Sequence, residues 1–90
     1  MARWEVCRIK YVHREQKGFF NEKKFGKIVA VLDTSGGEQV IDQTSEFDVS
    51  AGYDILYQER PKLVGRLLNQ SWEPIGVENG MVTVLRRQVP

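Results

Sequence analysis

The side chains able to do chemistry are few and scattered. The chain of 90 residues has one histidine, His13, and one cysteine, Cys7. Nucleophilic catalysis needs a base within hydrogen-bond reach of its nucleophile. His13 stands among charged residues at the end of an apolar stretch, with no nucleophile motif elsewhere, and reads as a solvated surface imidazole. Cys7 has no CxxC partner, and one Cys with one His cannot build a zinc site without carboxylates. It reads as a small packed hydrophobe. The acids Asp42, Glu46, Asp48 and Asp54 match no calcium-loop spacing, and neither GxxxxGK[ST] nor GxGxxG occurs. No catalytic residue, metal or cofactor is assigned.

Two stretches come closer to a known chemistry. VAVLDTSGG, ending at Gly37, resembles the apolar-Asp-Thr-Gly turn of retroviral-type aspartic proteases. Ser35 interrupts the loop that would present the acid, so Asp33 reads as a turn residue beside Ser and Gly. KGFF, in a basic stretch, faintly resembles the aromatic-basic strand of RNA-recognition motifs. Phe19 and Phe20 would stack on bases, with Lys17, Lys23, Lys24 and Lys27 on phosphates. The rest of that motif's glycine-aromatic spacing is absent.

Net charge is +1 but unevenly spread. Residues 1–27 carry eight Lys/Arg and three acids, residues 28–59 carry seven acids and no Lys or Arg, and residues 60–90 carry five Lys/Arg and two acids. A basic patch for an anionic partner is one reading. Basic and acidic strands lying side by side is the reading favoured here, because folding mixes sequence blocks. The apolar and charged fractions, 41% and 28%, are those of a globular chain. Without a second cysteine no internal disulfide forms. The start MARWEVCRIK has no signal-peptide core, and the longest apolar run, Ile28 to Leu32, is far too short to cross a bilayer. A cytoplasmic protein of one domain, 1–90, is expected.

Trp4 to Val12 reads as a strand, and Arg14 to Lys24 as a long connection or irregular hairpin arm. Lys27 to Leu32 and Gln39 to Thr44 make a hairpin around the turn at Asp33–Glu38. Positions 56, 57, 60, 63, 64, 67 and 68 fit one helical face, all apolar except Arg60. Pro61 is tolerated in a first helical turn and costly in an interior, so a helix over about 60–70 is expected, with a kinked helix from 55 as the alternative. Its buried stripe would be Leu63, Val64, Leu67 and Leu68.

Asn79-Gly80 between β-branched residues is a two-residue type I′ hairpin turn. It sets Val77 opposite Val82, Gly76 opposite Thr83, Ile75 opposite Val84, Pro74 opposite Leu85, Glu73 opposite Arg86 and Trp72 opposite Arg87. Ile75, Val77, Val82 and Val84 should then meet the helix. Trp72, Pro74, Met81, Leu85 and Arg87 fall on the other face, with Arg87 placed to stack on the indole. One helix covers one face only, so this second, apolar face is the candidate interface. Its alternative cover is the chain's own loops, through Phe19, Phe20, Phe25, Phe47 and Tyr53.

The C-terminal LLNQSWEPIGVENGMVTVLRR and the N-terminal WEVCRI resemble a family of small bacterial domains of unknown function. Its pattern is a Leu-rich helix, a Gly-Trp-Glu strand and a closing hairpin; here Ser71 stands where that family usually has Gly. The resemblance implies an α+β fold and no activity. The expected architecture is an antiparallel sheet of four to five strands with one helix on one face, in the order β-β-β-α-β-β. The expected function is a non-catalytic binding or self-assembling module, a homodimer or a binder of a protein partner and not of a membrane. The alternative is a single-stranded nucleic-acid-binding domain using the segment 8–27.

Overall fold

The structure is a computed structural model and describes residues 3–19 and 22–89. Its elements are β1 (Arg3–Lys17), β2 (Glu22–Thr34), β3 (Gly37–Gln43), β4 (Phe47–Asp48), α1 (Asp54–Asn69), β5 (Glu73–Glu78) and β6 (Met81–Val89). One antiparallel sheet runs β3-β2-β1-β6-β5, with the short β4 also paired to β2. The fold is α+β with one helix on the sheet, and β4 is the strand that the sequence pattern did not announce.

β1 and β2 are the long elements, 15 and 13 residues, against about 5–6 in an ordinary strand. Trp4–Val12 is thus only the first part of β1. The polar stretch taken for a connection is the outer part of a regular ladder that pairs out to Lys17 and Glu22. Apolar alternation does not hold it. The register instead sets opposite charges face to face, Glu15 against Lys24 and Lys17 against Glu22. This ribbon gives the molecule its 58 Å long axis and a radius of gyration of 15.1 Å, against roughly 12 Å for a compact chain of this length.

The core lies between α1 and one face of the sheet. Cys7 and Ile9 of β1, Ile28 and Ala30 of β2 and Leu85 of β6 meet Leu56, Leu63 and Leu67 of α1, with Val49 and Trp72 closing the ends. The helix starts at Asp54, not near 60, and runs unbroken through Pro61. Pro61 is exposed, so its ring sits on the outer side, and the lost hydrogen bond is offset by the leucines that α1 buries. Of the expected stripe, Leu63 and Leu67 are fully buried, whereas Leu68 is 46% exposed.

The helix ends in a Schellman arrangement. Trp72 N–H donates to the Leu67 carbonyl at 3.1 Å and Ser71 N–H to that of Leu68 at 3.2 Å. Ser71 takes the left-handed conformation, φ 71°, that this cap demands and glycine most readily adopts. The apolar contact usual in such a cap is supplied by Leu67 and Trp72, both in the core.

Asn79 and Gly80 both have positive φ, 51° and 75°, as a type I′ turn requires. The expected pairing holds at both ends of the hairpin: Val77 faces Val82, Pro74 faces Leu85 and Glu73 faces Arg86. Between them two irregularities cancel, so that Gly76 faces Val84 rather than Thr83. A Cβ on Gly76 would lie 3.1 Å from that of Val84, which explains a glycine there.

The face assignment needs correction. Trp72 and Leu85, 2% and 0% exposed, lie beneath the helix, while Ile75 and Val77, 51% and 61% exposed, do not. Burying an indole and a leucine removes more apolar surface than burying two β-branched edge residues, and the paired bulges let Val82 join the core side as well.

On the sheet's far face charge covers the middle of β1 and β2, while Trp4, Val12 and Val40, 47%, 42% and 51% exposed, stay open around it. Val29 and Val31, 4% and 3% exposed and outside the core cluster, pair with Lys10 and Arg8. Arg8 binds Asp33 through Nε and Nη2 at 3.1 and 2.8 Å, and Arg8 and Lys10 each reach Glu38 at 2.6 Å. The aliphatic stems shield the valines while the heads stay wet. Arg14–Glu46 and Arg66–Asp42 join basic to acidic blocks in the same way, as the favoured reading of the charge pattern requires.

Candidate binding cleft

A cleft of about 340 Å³ opens between the first two turns of α1 and the sheet, lined by Tyr11, Ile28, Tyr53, Leu56, Tyr57, Arg60 and Met81. Its rings are the most exposed aromatic wall of the core side: Tyr11, Tyr53 and Tyr57 are 40%, 47% and 61% exposed. Helical spacing puts Tyr53, Tyr57 and Arg60 on one stripe beside the buried leucines. That stripe continues through Pro61, Val64, Gly65 and Leu68 along a shallower depression of about 230 Å³, whose other wall is Gly80–Val82. Arg60 borders both spaces.

Tyr11 is held from three sides. Its ring stacks on His13 at 5.6 Å and meets Tyr53 edge-on at 5.7 Å. Across the strand it occupies the space left by Gly26, where a Cβ would come within 2.7 Å of its Oη and 2.8 Å of its Cε2. Burial, then the neighbouring Tyr53 phenol, pushes the Tyr11 hydroxyl up from its ordinary pKa.

Among the described residues Arg60 is the one charged group lining the cleft. Its Nη2 donates to the Val82 carbonyl at 2.8 Å, and its buried Nε finds no partner among them. No carboxylate among the described residues pairs with it, and burial lowers its pKa, offset only in part by Tyr57. Arg8, Arg14 and Arg66 are raised instead, each first by the hydrogen bond to its own acid.

The residues singled out from the sequence go elsewhere. Of the candidate interface, Met81 lines the cleft, Trp72 and Leu85 are core, Pro74 is exposed on β5, and Arg87 lies over the Trp72 ring at 4.5 Å. These five do not form one open surface: Trp72 and Leu85, expected on an outer face, lie in the interior of the domain.

Of the nucleic-acid set, Lys17, Phe19, Lys23 and Lys24 sit on the outer ribbon, with Phe19 97% exposed at its tip. Phe20 lies outside the described residues. Lys17 and Lys24 stand opposite Glu22 and Glu15, and Lys27 donates to Gln43 at 3.0 Å. The ribbon thus pairs two of its lysines with acids, while Lys23 stands opposite Gln16.

The other reactive types are occupied. Asp33 is tied to Arg8. Cys7 is buried, its thiol pushed up to about 11 by burial. Among the described residues no cluster of His, Cys, Asp or Glu could hold a metal ion, and no helix is long and apolar enough to cross a membrane. No protein-family model, curated protein or solved structure matches the chain.

Sequence reasoning missed the cleft, although Arg60 was already visible as the single charge on an otherwise apolar helical face. Tyr11 and Met81 carry no local signal, because only the sheet brings them together.

Proposed function

We propose that this chain is a non-catalytic binding module whose recognition surface is the cleft between α1 and the sheet. The observation that carries the reading is the trio Tyr11, Tyr53 and Tyr57, kept partly exposed around the apolar floor of Ile28, Leu56 and Met81. A concave, mostly apolar site with one or two polar groups is the usual form of a binding pocket. Tyrosines supply contact area at little entropic cost because they have few rotors. None of the described residues lining the cleft carries a carboxylate or a thiol, which favours binding over turnover.

Self-association is less well supported. The uncovered sheet face exposes Trp4, Val12 and Val40, but it sets Arg8, Lys10, Asp33, Glu38, Glu73 and Arg86 in ion pairs among them, and burying those ions against a second copy would cost desolvation. Amide chemical shifts followed during titration with benzyl alcohol test the proposal. Changes should gather on Tyr11, Ile28, residues 53–60 and Met81. Changes spread evenly over the surface would remove it.

A further inference from the structure

We infer that the cleft selects a small aromatic carboxylate, the ring lying among Tyr11, Tyr53 and Tyr57 and the carboxylate on Arg60. This deepens the binding reading above and rests on it.

Three observations converge. Arg8, Arg14, Arg66, Arg86 and Arg87 each have a carboxylate partner. Among the described residues Arg60, half-buried, finds only the Val82 carbonyl and leaves its Nε without a partner. A guanidinium taken partly out of water without an anion is costly, and an arriving anion recovers that cost. The volume, about 340 Å³, falls in the range of small-molecule sites rather than of extended protein grooves. The walls are aromatic and aliphatic, which suits a flat apolar body.

The charge count also narrows the anion. Among the described residues Arg60 is the only cation lining the cleft, and no lysine or glycine-rich loop adds donors to it. One guanidinium matches one carboxylate; a phosphate dianion would remain half-neutralised. Arg60 holds its position through Val82, so the head group is fixed before the ligand arrives.

Naphthoate and its neutral amide, naphthamide, test the inference by amide chemical-shift titration of the whole chain. Naphthoate should bind about tenfold more tightly than naphthamide, with shifts on Tyr11, residues 53–60 and Met81. Arg60→Gln keeps a donor for the Val82 carbonyl and should erase that preference, lowering naphthoate affinity about tenfold more than naphthamide affinity. Tyr53→Ala should weaken both probes alike. Equal affinity of the two probes for the unmodified chain would overturn the carboxylate inference and leave the cleft standing. Absence of cleft shifts with either probe would overturn both readings. Inorganic phosphate reproducing the naphthoate shifts would overturn the aromatic part.

Discussion

Arg87 covers Trp72 from within the domain: its guanidinium lies 4.5 Å from the ring centre while its Nη2 donates to Glu5 Oε1 at 3.1 Å. β1, β6 and the segment leading from α1 into β5 thereby meet at one point. The indole is 2% exposed, closes one end of the core against Leu67, and finds no acceptor for its N–H among the described residues. Trp72 is thus a packing residue whose polar atom works against it.

That arrangement separates two substitutions. Trp72→Ala should cost about 3–5 kcal/mol through lost burial and a cavity, a large part of the stability of a domain this small. Trp72→Phe should cost clearly less, because it removes the unpaired buried N–H together with part of the ring. Urea unfolding of both variants checks the order. Equal losses would mean that the indole nitrogen carries no penalty.

What the sequence makes legible follows the range of the interactions involved. The Asn79-Gly80 turn is local chemistry, and the pairing it imposes survives at both ends of the hairpin. The Trp72–Arg87 and Glu73–Arg86 neighbours follow from it. The face that meets the helix is not local. It depends on two cancelling bulges and on which residues bury most area, so alternation alone inverted it. The outer β1–β2 ribbon was hidden because cross-strand charge pairs, not apolar period, maintain it. The cleft draws on β1, β2, α1 and β6 at once, and only Arg60 betrayed it in the linear pattern.

Ser71 is a place where the chain departs from the residue its cap prefers. A side chain at φ 71° costs about 1 kcal/mol relative to glycine in the left-handed region. Ser71→Gly should raise stability by roughly 0.5–1 kcal/mol after allowing for the greater freedom of the unfolded glycine chain. Thermal unfolding of the single variant checks this, and a lower melting temperature would show that the serine hydroxyl contributes something the cap geometry does not.

Acid should loosen the interlocked strands. Hydrogen bonds from Lys10, Arg66 and Arg14 are the foremost causes lowering Glu38, Asp42 and Glu46 below their ordinary values of 4.5, 3.8 and 4.5. A carboxylate whose folded pKa is depressed stabilises the fold above its unfolded value and loses that contribution as pH falls through the folded one. Stability should therefore be level above pH 5 or so and decline progressively below about 4. Added salt should blunt the effect, since most of these pairs are exposed. Denaturant midpoints between neutral and acidic pH measure it; a midpoint that rises on acidification would contradict the assignment.

Gly26 and Tyr11 offer a test of how firmly the cleft wall is built. A methyl at position 26 would meet the Tyr11 ring at under 3 Å, and the ring cannot move off without giving up His13 or Tyr53. Gly26→Ala should therefore cost about 1–3 kcal/mol as overpacking and displace the ring from the cleft. In a Tyr11→Ala background the same change should cost little, because the space is then free. The difference between the two backgrounds is the coupling energy of the pair. Near-zero coupling in urea unfolding would mean that Tyr11 swings aside freely, and the wall would then be a mobile ring rather than a seated one.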